Sequence, residues 1–553
     1  MKALHQPLGV KAGGGFRSYT WNEWLKISRE IAMGLRTLGL QKGDIACILC
    51  ETRAEFYLVD LGIMGAGGVA AALYTAYPMP DLAHDIARAQ PRFLFVEDAK
   101  SLKALSDEVT AENGTVPEHL ILITGEQSGT LSLAELQKLG REALERDLDA
   151  FARVHEEISP EDAAILYLTS GATGEPKMGL TSHTAILANI DMGPTVLPLT
   201  PDDSVIVFLP SAHIAQRIVL ELVPMRMGAP VWFSESLAKL PTELRTIRPT
   251  IFLAPPRVWE RMYTTIQTEL RKRPAFARKI FYGALGLGIE AARLRQAGKP
   301  IPAWMSRLLR AADKVAFKKV RERLGGRIRV AASGAAPLGK DLAEFYAGIG
   351  MPLIEGYGLT EAGVICFNPL DRPKPGSIGK VLPGVEVRLA EDGELQVRTP
   401  CMFKGYYRDE AATRSVLSAD GWFSTGDIAE VDEDGYWYIT GRKKELIVSS
   451  NGKKIYPARI ESLFKLEPIV NQVLLVGDKK PYVTALLTIN VAEAQKLNGV
   501  EDARAQPAEI LNSEPVSKAV QAAVSRVNKQ LADFERIRRF KILERDFSIE
   551  QGE

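Results

Sequence analysis

Tyr167-Leu-Thr-Ser-Gly-Ala-Thr-Gly-Glu-Pro-Lys177 is the stretch on which the reading of this chain turns. Residues 164–168 form an apolar run that predicts a buried strand. The small hydroxylated and glycine residues behind it can bend the backbone until its N–H groups and Thr169, Ser170 and Thr173 face one anion, while Lys177 adds a mobile positive charge. Taken alone, the run is also compatible with an ordinary Gly/Thr turn between a strand and a helix. It is not a Walker loop, because no Gly-Lys-Ser/Thr closes it.

Upstream, the pattern predicts helices over 21–39, 55–64 and 82–89 and strands over 44–49, 69–74 and 93–96. Strands alternating with helices imply a mostly parallel sheet with helices on both faces, whose sites lie beyond the strands' carboxyl ends, where the 169–177 loop falls. Downstream come a helix around 185–192, a strand over 204–209 and a basic helical insert over 262–324. Residues such as Arg271, Lys272, Arg273, Arg278 and Lys279 more often solvate such helices than bind a partner. Short strands broken by turns over 376–441 predict a small antiparallel β subdomain. The last hundred or so residues mix strands (473–476, 482–487) with helices, enough for a separate unit. The expected fold is therefore α/β: a large region, 1–441, and a small α+β unit, 442–553.

Composition limits the functions open to the chain. A length of 553 residues implies two or more domains. The net charge of +1 gives no global attraction to nucleic acid or acidic lipid, so any anion site must be local. Residues 61–77 are the longest weakly polar run, but they are short for a membrane span and carry glycines at 62, 65, 67 and 68. No apolar segment opens the chain as a secretory signal would. Cys47 and Cys50 lie in a strand-like apolar run with no second pair to complete a zinc site, and with Cys366 and Cys401 they read as buried reduced thiols rather than a metal or redox pair. A cytoplasmic location is expected, with peripheral contact to the inner face of a membrane left open. The oligomeric state is also open, a homodimer being one option.

Three further segments decide what the loop is for. Ser333-Gly-Ala-Ala-Pro-Leu338, Glu355-Gly-Tyr-Gly-Leu-Thr-Glu361 and Asp420-Gly-Trp-Phe-Ser-Thr-Gly-Asp427, with Gly441-Arg-Lys-Lys-Glu-Leu-Ile447, follow in that order. Together with 167–177 they resemble the adenylate-forming enzymes, the superfamily of acyl-CoA synthetases, luciferases and peptide-synthetase adenylation domains. The insert resembles those of the long-chain branch of the acyl-CoA synthetases. In the loop, Ala172 stands where the family has threonine and Met178 where it has glycine.

The resemblance implies ATP, Mg²⁺ and coenzyme A as cosubstrates and cofactor, a fatty acid as substrate, and no nucleic acid. It places Thr169, Ser170, Gly171, Ala172, Thr173, Gly174 and Lys177 on the phosphates, and Gly334, Ala335, Ala336, Pro337, Glu355, Gly356, Tyr357 and Gly358 around adenine. Thr360 would contact the α-phosphate, and Glu361 with Thr169 would hold magnesium. A carboxylate beside a triphosphate makes physical sense only with a cation between them. Asp427 and Arg442 would take the ribose, Lys444 the hinge, and Gly452 the pantetheine channel. His213, in Phe208-Leu-Pro-Ser-Ala-His213, is either a gate beside the acyl carbonyl or a structural imidazole. Phe208, Ile214, Trp232, Phe233 and Phe252 are candidates for an acyl tunnel wall or ordinary core aromatics.

The family's closing Leu-Thr-Pro-Thr-x-Lys segment is not found, and Lys541 is offset from it. A truncated chain or weak adenylation is the expectation. The function implied is an ATP-dependent long-chain fatty acid:CoA ligase. The rivals are a fatty acyl-AMP ligase loading a carrier protein and a non-catalytic nucleotide- or acyl-binding homologue.

Overall fold

The computed structural model describes residues 1–9, 14–111, 116–169, 176–465, 467–497, 510 and 513–548. Its first sheet has eight strands in the order Gly405–Tyr406, Lys177–Ser182, Ala163–Thr169, Val69–Ala72, Ile45–Leu49, Phe93–Val96, His119–Leu122, Leu131–Ser132. From Ala163–Thr169 to Leu131–Ser132 every neighbour is parallel. These strands are short and apolar because both faces are covered, so the alternation of a half-exposed strand is missing. The expected mostly parallel architecture is present.

A second sheet of nine strands contains the parallel run Val231–Phe233, Val205–Val207, Ile251–Ala254, Val330–Ser333 and Leu353–Leu359. Its far edge is formed by Lys2–Pro7, parallel to Val231–Phe233, and by Phe16–Thr20, antiparallel to Lys2–Pro7. The expected subdomain is a four-stranded antiparallel sheet of Glu386–Leu389, Glu394–Arg398, Phe423–Val431 and Trp437–Arg442. Beyond it, a separate apolar core gathers residues from Ile447 to Ile537 around the three-stranded sheet Val470–Val476, Val483–Ile489, Ile537–Ile542.

The helix Trp21–Thr37 starts at a capping box, with Thr20 accepting from the Glu23 N–H and the Glu23 carboxylate accepting from the Thr20 N–H. It crosses Leu133–Arg146 so closely that the two backbones meet at glycines. A Cβ on Gly140 would lie 1.7 Å from the Glu30 carbonyl oxygen, and one on Gly34 2.3 Å from that of Leu136. Neither obstacle is a side-chain end that could swing away. Gly140→Ala is therefore expected to cost about 1–3 kcal/mol through forced separation of the helices, read as a lower urea midpoint with unchanged slope.

Between the sheets lies a cluster of ionisable groups in full burial. Arg217 and Glu221 are on the π-helix Ala215–Leu222, and Asp60 is on Ala54–Gly65. Arg217 donates to both oxygens of Asp60 with neither side chain exposed. Its guanidinium lies 5.5 Å from the Tyr167 ring centroid, beneath the strand that leads to the glycine-rich loop. Tyr57 accepts from Gln216 Nε2 at 2.8 Å and donates to the Leu220 carbonyl. Burial, reinforced by the Asp60 charge, pushes the Glu221 carboxyl well above its usual range, so it is held neutral.

The 447–537 core unit is seated on the larger region by oppositely signed contacts along one helix, Pro256–Arg271. Glu260 pairs with Lys465 at 3.4 Å and Arg271 with Glu493 at 3.6 Å. Lys465 also donates to the Pro337 carbonyl at 3.1 Å.

Candidate active site

The loop's two feet are antiparallel strands rather than a strand and a helix. Thr169 pairs with Lys177, and Lys177–Ser182 runs back along Ala163–Thr169 before the helix His183–Val196 begins. The sequence signal for a strand at 177–182 is masked by Gly179 and the polar Thr181 and Ser182. Residues 170–175, and with them Ser170, Gly171, Ala172, Thr173 and Gly174, lie outside the described residues. At the feet, the Thr169 hydroxyl donates to the Lys177 carbonyl at 3.2 Å.

Lys177, Glu361 and an aromatic ring converge at this end of the sheet. The Lys177 ammonium sits 4.6 Å from the centroid of Tyr406, a cation–π distance. The Tyr406 hydroxyl donates to Glu361 Oε1 at 2.8 Å. Tyr406 reaches this place because Gly405–Tyr406 adds to the sheet edge opposite Gly179 and Leu180, and Gly405, at φ 131°, occupies a conformation open to glycine. The backbone of Phe403 donates to the Glu361 carbonyl, tying the same segment to the motif at 355–361. Burial and the neighbouring Glu361 charge raise the Tyr406 pKa, so the phenol stays a proton donor at neutral pH. Sequence reasoning missed Tyr406. Its only signal is the Phe403-Lys-Gly-Tyr406 run, an aromatic beside a glycine outside every motif.

A second group of expected residues lines a cavity of about 830 Å³ between the large region and the 447–537 core unit. Ala335, Ala336, Pro337, Glu355, Gly356, Tyr357, Gly358, Asp427 and Arg442 all face it. Gly334 lies just behind, where a Cβ would stand 3.4 Å from the Gly356 carbonyl oxygen, and Ala335 takes a left-handed φ of 68°. Two parallel strand ends, Val330–Ser333 and Leu353–Leu359, thus present flat, small-residue backbone to the space. The Tyr357 hydroxyl donates to Asp427 Oδ2 at 2.5 Å, and Arg442 holds Oδ1 at 3.1 Å across the directly opposed pair Asp427–Arg442. Burial raises the Asp427 pKa against the opposing pull of Arg442.

Glu355 is buried at one edge of this cavity and accepts from the Leu338 N–H at 3.0 Å. Burial pushes its carboxyl from 4.5 up to about 8. A carboxyl raised in the folded state contributes stability that is complete below its unfolded pKa of 4.5 and is lost as pH climbs to about 8. Glu355→Gln is expected to flatten that slope, seen by comparing urea midpoints of the two proteins at about pH 5 and about pH 9.

The remaining expected residues are placed elsewhere. Thr169, Lys177, Thr360 and Glu361 are outside the cavity lining, but the strand Leu353–Leu359 runs directly from one group to the other, since Gly358 lines the cavity and Glu361 follows three residues on. His213 uses Nδ1 to accept from the Ala215 N–H at 3.1 Å at the start of the π-helix, and burial lowers its pKa, so the imidazole is neutral. Lys444 is exposed in the 3₁₀ turn Lys443–Glu445, next to Lys443, which is anchored by Asp392 at 2.6 Å and Glu394 at 2.9 Å. Gly452, at φ 75°, tips the hairpin of Ile447–Val448 and Lys454–Ile455, away from the cavity lining.

Among the tunnel candidates, Phe233 and Phe252 are fully buried core side chains. Trp232 stacks on His5 at 3.7 Å on the N-terminal strand, which the sequence reading lacked, and that stacking accounts for its aromaticity. The four cysteines are buried and unpaired, with burial pushing the thiols of Cys366 up to about 12 and Cys401 up to about 11.

Among the described residues no group of three His, Cys, Asp or Glu is arranged to hold a metal, and no helix is long and apolar enough to cross a membrane. The oxygen donors at hand, one Glu361 carboxylate and the Thr169 hydroxyl, fit a hard divalent cation that completes its shell with phosphate oxygens and water.

A cleft walled by small-residue backbone and an aspartate–arginine pair, joined by one strand to a lysine–carboxylate cluster, is an arrangement that an α/β enzyme could use to hold a nucleotide. Residues 3–407 match the family described as AMP-binding enzyme, and 444–548 match its C-terminal domain; the chain belongs to this family of adenylate-forming enzymes. It is 33% identical to the long-chain-fatty-acid–CoA ligase FadD15 of Mycobacterium bovis over 95% of this chain and 86% of that protein. It is 31% identical to the long-chain-fatty-acid–CoA ligase ACSBG2 of Rattus norvegicus over 99% of this chain and 86% of that one. Among solved structures it is similar to ATP-bound MatB from Rhodopseudomonas palustris, with TM-score 0.69 and 25% identity over 98% of this chain and 92% of that chain.

Proposed function

We propose that this chain activates a long-chain fatty acid with ATP and transfers the acyl group to coenzyme A, releasing AMP and pyrophosphate. The observation that carries the reading is the continuity of the two residue groups. Tyr357 and Glu361 stand on one strand and its immediate extension, so a nucleotide with its base at Tyr357 and its ribose on Asp427 and Arg442 would extend its phosphates toward Glu361 and Lys177. Likeness to the long-chain ligases over nearly the whole chain supports the substrate class.

In this reading the Tyr357 ring covers the adenine and Asp427 accepts from the ribose hydroxyls. Thr360 contacts the α-phosphate. Glu361, with the Thr169 hydroxyl, would hold Mg²⁺, which would supply charge neutralisation at the phosphates. Lys177 leaves the Tyr406 face to meet developing negative charge, and Tyr406 keeps Glu361 aimed while it does so. The reaction asks for positioning and electrostatics rather than a protein nucleophile. The 442–553 portion serves as a lid turning at Lys444, whose neighbour Lys443 is already fixed to the subdomain. His213 serves as a neutral structural imidazole at the mouth of the acyl pocket.

The test is a coenzyme A thioester assay over straight-chain acids from acetate to stearate, with a phosphopantetheinylated carrier protein as the alternative acceptor. Thioester formation that rises with chain length and needs free coenzyme A is expected. Exclusive loading of the carrier, or nucleotide binding without acid-dependent pyrophosphate release, would overturn the proposal.

A further inference from the structure

Charge in this chain is unevenly distributed. Residues 271–323 hold fifteen Lys and Arg against three Asp and Glu, a local balance of +12 in a protein whose total is +1. The same span carries Phe276, Ile280, Tyr282, Trp304, Leu308 and Val315, a third of the exposed large apolar side chains among the described residues. Exposed bases alone would be a solvated helix face, and exposed apolar groups alone would be an ordinary hydrophobic patch. It is their interleaving that requires an explanation.

The periodicity shows how the two are combined. On Ala303–Ala312, Met305 is buried and Leu309 and Ala312 are half-buried against the protein, at helical spacing. Trp304, Arg307, Leu308 and Ala311, at i, i+3, i+4 and i+7, are all exposed and form the opposite stripe. The helical run continues through Asp313–Phe317, where Lys314 and Val315 extend the stripe. On Ala275–Gln296, Phe281, Ala284, Gly288 and Ala291 are buried, while Phe276, Lys279 and Ile280 are exposed at one end. The two helices pack through Phe281 against Phe317, with ring centroids 5.9 Å apart.

A helix with apolar residues on its buried face and on its exposed face is not explained by the fold's own core. Among the described residues, Arg278, Lys279, Arg307, Lys314 and Lys319 have no ion-pair partner, whereas Arg321 pairs with Asp313, Arg293 with Glu344 and Arg323 with Glu269. The unpaired bases thus sit beside the outward Phe, Ile, Trp, Leu and Val.

We infer that this face docks on the surface of an anionic lipid bilayer. The basic side chains meet lipid phosphates while Phe276, Ile280, Trp304 and Leu308 enter the headgroup boundary, the pattern of an interfacial helix. An anionic polymer such as RNA would use the charge but leave the aliphatic side chains in water. The face also gives the ligase reading a local source of fatty acid, though the inference stands without that reading because its test measures binding alone.

The test is co-sedimentation of the full chain with vesicles of phosphatidylcholine, with and without phosphatidylglycerol, at low and high salt. Partition into the anionic vesicles is expected to exceed that into neutral ones by about tenfold or more and to weaken as salt screens the bases. Two variants with the thermal melt of the parent protein separate the contributions. Arg278→Glu/Lys279→Glu/Arg307→Glu should lose the anionic preference, and Phe276→Ser/Ile280→Ser/Trp304→Ser/Leu308→Ser should lose binding about tenfold on either vesicle. Brominated lipid should quench a part of the tryptophan emission that Trp304→Phe removes. The inference is overturned if the parent protein stays in the supernatant at low salt, if both variants sediment like the parent, or if poly(U) is bound in preference to the anionic vesicles.

Discussion

Glu361→Gln is expected to lower acid-dependent pyrophosphate release by roughly 10²- to 10³-fold, an effect of the size that follows removal of one preorganised electrostatic group from an active site. The side chain is half-exposed, and among the described residues the hydrogen bond it accepts comes from Tyr406, a contact the amide oxygen of glutamine can keep. The melting temperature should therefore move by no more than a few degrees, and the loss should be partly offset by raising Mg²⁺. Tyr406→Phe removes the hydrogen bond but leaves the ring under Lys177, so its effect should be about tenfold and fall on kcat more than on the KM for ATP. Unchanged pyrophosphate release in Glu361→Gln would remove the carboxylate from the proposed phosphate site, whatever the substrate.

The second large effect concerns folding rather than turnover. Arg217→Leu leaves Asp60 fully buried without its guanidinium, so that the carboxyl must stay unpaired or take up a proton, which is expected to cost about 3–5 kcal/mol of stability. Arg217→Leu/Asp60→Leu should recover most of that loss, because two apolar groups replace a pair whose desolvation is already expensive. Urea titration of the single and double variants measures both. Equal losses in the two would show that packing in the π-helix, not the unpaired buried carboxyl, sets the cost.

The alternation of short apolar strands with amphipathic helices was plain in the sequence because burial on both faces leaves a period-free apolar strand beside a 3.6-period helix. The pattern at 45–49, 69–72 and 93–96 needs no partner to be read. Strand Lys177–Ser182 was hidden, because a strand whose partners are Thr169 on one side and Tyr406 on the other owes its existence to those contacts rather than to its own residues. The N-terminal pair Lys2–Pro7 and Phe16–Thr20 was equally silent, because each is short and mixes polar with apolar residues, so its place in the sheet comes from its partners rather than from an apolar run of its own. Within the candidate site, Tyr357, Asp427 and Arg442 came from motifs and are close in space. Tyr406 and Lys465, the latter also on the cavity wall, are brought in by a sheet edge and a docking contact, and a linear pattern contains neither. His213 shows the opposite case: a motif named the residue, and only the hydrogen bond from Ala215 revealed that its Nδ1 is engaged.

Glu260 and Arg271 are eleven residues apart, three turns of one helix within about 20°, so they share a stripe and are separated by about 16 Å. Their signs are opposite, and so are those of Lys465 and Glu493 that meet them. A C-terminal unit placed end for end on that stripe would set carboxylate against carboxylate and cation against cation. The contact therefore works like a polarised plug, rejecting the reversed seating by repulsion and accepting one alignment by attraction. Both pairs are partly open to water, so ionic strength acts as a solvent-side control on how long the unit stays seated.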